Sequence, residues 1–188
     1  AKKVGPRTRI VAAAHVSNVM GCELPVRRLA DAAHAVGAVM VVDAAQSVPH
    51  LPVSVDELGA DFLAFSGHKA LGPMGVGVLW GRRELLDQMP PMLTGGEMID
   101  SVREQDATWA PVPEKFEAGT QDAAGIYATG AALSYLTETV GLDAVAEREA
   151  ALVGPAAVSG SAMPPRPGTA AVEEATAHPS VPERALRL

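Results

Sequence analysis

The sequence predicts an α/β domain with a mostly parallel sheet flanked by helices. Two observations carry that prediction. Short apolar runs that read as buried strands are separated by a segment of helical periodicity. Two of those runs also end alike, passing directly into a cluster of polar side chains. Residues 38–42 (AVMVV) lead into Asp43, and residues 61–65 (DFLAF) lead into Ser66-Gly67-His68-Lys69. In a parallel sheet the carboxyl ends of the strands face the crevice where ligands bind, so these groups would share one edge.

In chain order, residues 8–14 (TRIVAAA) read as a buried strand followed by the polar loop His15-Val16-Ser17-Asn18. Residues 25–36 have the spacing of a helix: Pro25 suits its first turn, Leu29, Ala32, Ala33 and Val36 form an apolar face, and Gly37 ends it. The strand to Asp43 completes a strand–helix–strand unit of the parallel kind. A short acidic helix is expected around Val55-Asp56-Glu57-Leu58-Gly59, before the strand that ends at Phe65. Gly72-Pro73-Met74-Gly75 reads as a tight turn and residues 76–80 (VGVLW) as a further strand. Residues 89–113 read as a long loop, with Pro90-Pro91, Gly95-Gly96, Pro111 and Pro113; so long a connection usually carries function or buries against a partner. Residues 123–139 read as a well-buried helix and residues 142–153 as an amphipathic one.

Composition bounds the rest. The 188 residues suffice for one domain with a sizeable core, and 48% of them are hydrophobic, which rules against disorder of the whole. Residues 154–188 differ, holding six of the fifteen prolines without sustained periodicity, and read as a disordered tail. The net charge of −7 and the scattered pairs Lys2-Lys3, Arg27-Arg28 and Arg82-Arg83 argue against nucleic acid as a partner. One cysteine, Cys22, rules out an internal disulfide framework and a multi-cysteine metal site, and no metal site is expected. No apolar run approaches the ~18 residues of a membrane span. A cytoplasmic protein that does not bind membranes is the expectation.

An acid, an amide, a hydroxyl, an imidazole and an amine gathered at one sheet edge point to an aldehyde cofactor held by a lysine, with pyridoxal phosphate as the candidate. Most lysines are solvated surface charges. One held against an apolar floor loses proton affinity, and only a neutral amine attacks a carbonyl, which favours Lys69 as the attachment point. Asp43 is the natural counter-ion of a protonated pyridine nitrogen, a charge pair that makes the ring an electron sink. Its bland reading is a turn or cap residue. Gln46 has the reach for the ring's phenolic oxygen, Ser66 could donate to a phosphate, and Asn18 could approach the ring from the neighbouring strand end.

Several segments carry a resemblance. His15-Val16-Ser17-Asn18-Val19-Met20-Gly21, Val42-Asp43-Ala44-Ala45-Gln46, Phe65-Ser66-Gly67-His68-Lys69 and Gly72-Pro73-Met74-Gly75-Val76-Gly77 resemble the class V aminotransferase-like enzymes. So do Met89-Pro90-Pro91, Gly95-Gly96-Glu97-Met98-Ile99 and Phe116-Glu117-Ala118-Gly119-Thr120. Within that family the sequence is most similar to the cysteine desulfurase/selenocysteine lyase branch, which feeds iron–sulfur cluster assembly. The similarity runs, in order, from about Thr8 to Leu152.

The resemblance implies that residues 1–153 are part of the large domain of a fold-type-I pyridoxal-phosphate transferase. Lys69 matches the Schiff-base lysine, Asp43 the residue on the pyridine nitrogen and Gln46 the residue on the phenolic oxygen. Asn18 lines the cofactor, and Ser66 and His68 match phosphate ligands. Thr120 matches a threonine that reaches the phosphate of the other subunit's cofactor, implying a homodimer. The implied reaction converts L-cysteine (or L-selenocysteine) to L-alanine and passes sulfur, as a persulfide, toward an acceptor protein. Family members are longer on both sides, and the expectation is a truncated chain of impaired activity. Their further segments carry a phosphate cradle, a ring-stacking histidine, the sulfur-accepting cysteine and a substrate-binding arginine. Cys22 falls where the family has no catalytic thiol and is read as a packing residue. The alternatives are another enzyme of the fold, such as a selenocysteine lyase or an amino-acid epimerase, or a non-catalytic remnant that associates with homologues.

Overall fold

The structure, a computed structural model, describes residues 3–153. The reading of residues 154–188 as a tail lies outside the described residues. Four strands form one sheet in the order β1 (Ile10–Ala14), β2 (Val39–Asp43), β3 (Phe62–Ser66) and β4 (Gly77–Gly81). The first three are parallel, with Ile10 opposite Val39 and Val41 opposite Phe62; β4 returns antiparallel to β3, with Ser66 opposite Gly77. The antiparallel return follows from the short Gly72–Gly75 connection, because a parallel neighbour needs a crossover of a dozen residues or more. Sheet order and alternation with helices match the α/β expectation.

Helix α1 (Val26–His34) crosses between β1 and β2, with Pro25 at its N-cap. Its buried positions are Val26, Ala30 and Ala33, spaced to lie on one face. That face is rotated from the expected one: Leu29 packs at the core's margin, and Ala32 is only half-buried. Val26 meets Met40 and Val42 of β2, together with Ala60 and Leu63, in the main core. Each fully buried large side chain among these contributes roughly 2 kcal/mol. Residues 8–14 prove less buried than expected. Among the described residues β1 pairs on one side only, and Ile10 is 56% exposed on it.

The short acidic helix is α2 (Val55–Leu58), where Ser54 Oγ accepts the Glu57 amide at 3.3 Å and Gly59, at φ +67°, closes the C-terminus. Asp56 and Glu57 stand in its first turn, where the helix dipole favours negative charge. Asp61 marks the start of β3, at the edge of the sheet away from the strand ends that carry Asp43 and Ser66. It is buried and ties three elements together. Oδ2 accepts the Met40 amide at 2.8 Å and lies 2.7 Å from His34 Nε2, while Oδ1 accepts Arg82 Nε at 3.0 Å.

Residues 89–113 are not simply a loop. Beyond α3 (Arg83–Gln88) they contain a two-stranded antiparallel ribbon, β5 (Ile99–Val102) with β6 (Ala107–Trp109). Lys115 roots this excursion: its buried Nζ donates to the carbonyls of Leu86 and Asp87, the open C-terminal end of α3. Helix α4 (Ala123–Ser134) starts from an Asp122 cap and passes into a π-helical turn, Tyr135–Val140, before α5 (Leu142–Val153). The well-buried helix expected here is buried only at Gly125, Thr129 and Leu136 among the described residues, with Tyr127 82% exposed. Apolar composition all round a helix cannot say which face finds a neighbour. Among the described residues, no helix is long and apolar enough to cross a membrane.

Candidate active site

Because β1, β2 and β3 are parallel and adjacent, their carboxyl ends open on one edge. β1 passes into a small looped hairpin closed by a bridge between Val16 and Glu23 and by the Ser17 amide on the Cys22 carbonyl at 3.0 Å. Gly21, at φ +63°, donates back to the Ser17 carbonyl and turns this loop, which leaves Asn18 exposed. At the loop's root the His15 amide donates to the Asp43 carbonyl at 2.8 Å, fixing the end of β1 to the end of β2. The His15 ring is buried, 3.2 Å from Glu23 Oε1 through Nε2, and its Nδ1 has no partner among the described residues.

Asp43 closes β2 with its carboxylate exposed. Oδ1 accepts the Ala45 amide at 2.9 Å, an Asx turn that directs the chain into Gln46. Gln46 Nε2 donates to Asn18 Oδ1, so the two amides meet across the β1 and β2 strand ends. Ser66 ends β3, and a 3-10 turn, Gly67–Ala70, follows with His68 and Lys69 exposed on it. Leu71 stops that turn in the left-handed region at φ +61°, and the Gly72 amide donates to the Gly67 carbonyl at 2.9 Å. Lys69 Nζ makes no ion pair or hydrogen bond among the described residues.

The expected residues therefore divide. Asn18, Asp43, Gln46, Ser66, His68 and Lys69 all stand at one sheet edge, and Asn18 with Gln46 is the pair in direct contact. Thr120 lies on none of these strand ends; it is exposed after Gly119 in a loop whose Gly119 amide donates to the Gly96 carbonyl at 3.0 Å. Lys69, expected against an apolar floor, is exposed. A hollow of about 290 Å³ lined by His15, Glu23, Arg27, Ser54 and Glu57 does not include the lysine. Two residues escaped the sequence reading: His15, read only as loop, and Thr129, buried beneath the lysine turn.

The donor set can be tested against pyridoxal phosphate by its chemistry. Among the described residues it offers an acid whose Oδ2 makes no hydrogen bond, a paired set of amides, a hydroxyl, an imidazole and an untethered amine on neighbouring strand ends. These are the groups that a pyridine nitrogen, a phenolic oxygen, a phosphate and an aldehyde require. The residues fit the group.

Comparison with known proteins points the same way. The family described as aminotransferase class-V matches residues 1–162. A probable cysteine desulfurase of Halalkalibacterium halodurans is 51% identical over 148 residues, covering 79% of this chain and 36% of that protein. The crystal structure of the cysteine desulfurase CsdA of Escherichia coli, in its S-sulfonic acid form, superposes with a TM-score of 0.75 at 39% identity. The match covers 89% of this chain and 41% of that one. A C-DES mutant with glycine covalently linked to its PLP cofactor superposes with a TM-score of 0.69 at 27% identity, over 78% of this chain and 40% of that one. The chain thus spans about a third or less of the length of curated relatives it matches. With the parallel strand ends, the polar groups on them and a family match that extends past every described residue, the chain belongs to the class-V aminotransferase family.

Proposed function

We propose that this chain is the cofactor-holding part of a pyridoxal-phosphate-dependent cysteine desulfurase. The observation that carries the reading is the convergence of Asp43, the Asn18–Gln46 pair and Ser66-Gly67-His68-Lys69 on three adjacent parallel strand ends. In it, Lys69 supplies the amine that fixes the aldehyde end and later carries a proton. Asp43 keeps the ring nitrogen protonated through its free oxygen. Asn18 and Gln46 address the phenolic oxygen, and Ser66 and His68 the phosphate. Bound there, pyridoxal phosphate would supply an electron sink for the carbanion left at the substrate's α-carbon.

The reaction takes L-cysteine and an acceptor thiol to L-alanine and a persulfide. The thiolate attacks the substrate sulfur, the carbon–sulfur bond breaks, and its electron pair ends as the new C–H bond of alanine. L-Selenocysteine is the alternative substrate, and iron–sulfur cluster assembly the use of the sulfur. The reading extends to a cytoplasmic homodimer serving a sulfur-acceptor protein, the dimer being what the resemblance at Thr120 implies. Thr120 is exposed on a loop rather than on a strand end, which leaves it accessible to a second subunit's phosphate.

Absorbance titration of the purified chain with pyridoxal phosphate, then borohydride reduction and peptide mapping, tests the reading. The expected result is a new visible band and a stable label on Lys69, both lost in Lys69→Ala. A folded chain that takes no label at Lys69 would overturn it.

A further inference from the structure

The lysine turn has a support that the strand-end residues do not provide. Thr129 lies in α4, 3% exposed, with its Oγ1 donating to the Gly125 carbonyl at 2.8 Å. That bond points the hydroxyl back along its own helix, leaving the rest of the side chain as a shape. A Cβ built on Gly67 would lie 3.1 Å from Thr129 Cγ2, 3.1 Å from its Oγ1 and 3.1 Å from the Val76 carbonyl oxygen. One built on Gly72 would lie 3.2 Å from Thr129 Oγ1 and 2.9 Å from the Gly67 carbonyl oxygen. Both ends of the segment that carries His68 and Lys69 are thus glycines pressed against one threonine. Between them Leu71 is held at φ +61°, a conformation a branched-chain residue adopts at a cost of about 1 kcal/mol or more. The Leu71 and Gly72 amides both donate to the Gly67 carbonyl, so the far end of the segment closes on one acceptor, and Thr129 is the side chain packed against both of its glycines.

We propose that Thr129 is a positioning residue for Lys69, a post on α4 that holds the 67–72 turn closed and so sets where the amine stands. The part concerning cofactor capture rests on the function proposed above; the part concerning the turn does not. The post acts by volume, which separates it from a hydroxyl that contacts the cofactor. Thr129→Val keeps the shape and loses the hydroxyl, whereas Thr129→Ala removes the shape with little risk to folding.

The test uses the full chain and two readouts. Without cofactor, amide hydrogen exchange in residues 67–72 is expected to quicken about tenfold in Thr129→Ala, with β1 and β2 unchanged, and to stay near wild type in Thr129→Val. With pyridoxal phosphate, borohydride labelling of Lys69 should slow by a similar factor in Thr129→Ala and recover in Thr129→Val. Unchanged exchange in Thr129→Ala would overturn the proposal, as would a Thr129→Val that behaves like Thr129→Ala. Wild-type protein that takes no label at Lys69, with turn exchange still responding to Thr129→Ala, would sink the cofactor reading alone and leave the post standing.

Discussion

The carboxylate of Asp61 accepts the backbone amide of Met40 at 2.8 Å, joining the start of β3 to the start of β2. Burial alone would raise the carboxyl pKa. The Met40 amide, the His34 ring and the Arg82 guanidinium more than offset this and hold it below the ordinary carboxylate value. A group whose pKa is depressed by folding contributes stability that is present above its unfolded value and lost as pH falls through the folded one. Asp61→Asn turns an amide toward donors that expect an acceptor, and it should cost about 2 kcal/mol near neutral pH. Urea denaturation at pH 7 and again below pH 4 checks the sign: the gap between variant and wild type should narrow in acid. A gap that widens would mean Asp61 is not the acceptor the geometry describes.

The Asn18–Gln46 contact makes a coupled prediction. Each amide holds the other, so truncating either one frees its partner. Asn18→Ala and Gln46→Ala should each weaken pyridoxal phosphate binding about tenfold, with the double variant little worse than either single. Additive losses in the titration would show that the two side chains act separately.

Cys22 lies half-buried in the Asn18 loop, where its backbone rather than its thiol is engaged, through the Ser17 amide. Cys22→Ser should therefore leave labelling of Lys69 within about twofold of wild type, because a loop held by main-chain bonds keeps its shape without the sulfur. A lost label would reassign the thiol to the site.

What the sequence made legible follows from range. Asp43 and Ser66 could be set at one edge because apolar runs of strand length ended on them, and parallel connectivity does the rest. α2 was readable for a similar reason, since Ser54, Glu57 and Gly59 are local signals for its cap and its stop. The β5–β6 ribbon was not, because its strands, Ile99–Val102 and Ala107–Trp109, are short and mixed, and the Arg103–Asp106 turn contains no glycine. The burial of α4 was misjudged for want of periodicity: Ile126 looks like a core residue in sequence and is exposed, while Gly125 and Thr129 are the positions buried within the helix. Contacts such as Thr129 against Gly67 join residues about sixty positions apart, and no local pattern encodes them.

Lys115 illustrates the same limit and supports a prediction of its own. It is buried, with Nζ 3.1 Å from the Leu86 carbonyl, 2.9 Å from the Asp87 carbonyl and 5.3 Å from the centre of the Phe116 ring. A cation at the end of α3 adds a second donor to the Leu86 carbonyl, which also accepts the Met89 amide, bonds the Asp87 carbonyl and meets the negative end of the helix dipole. Lys115→Met should keep most of the packing and lose both bonds, costing about 2 kcal/mol. Hydrogen exchange should quicken in α3 and across the 95–119 segment together; quickening in α3 alone would show that the ribbon has another anchor.

The exposed apolar side chains lead to the last prediction. Val19 and Met20 by the Asn18 loop, Met74 in the turn before β4, Met92 and Leu93 ahead of the ribbon and Tyr127 on α4 are each more than 70% exposed. β1 also leaves one edge of the sheet unpaired among the described residues. Single exposed apolar residues are ordinary, but large ones near an open strand edge favour association between chains. The purified chain should accordingly elute in size-exclusion chromatography above its monomer mass, with the elution volume shifting as it is diluted. Charged substitutions at Met92 and Leu93 should reduce the shift if the apolar surface drives it. A lysine on the outer face of β1, at Ile10 (56% exposed), should reduce it if the strand edge does. A concentration-independent monomer would show that neither surface is adhesive enough to pair.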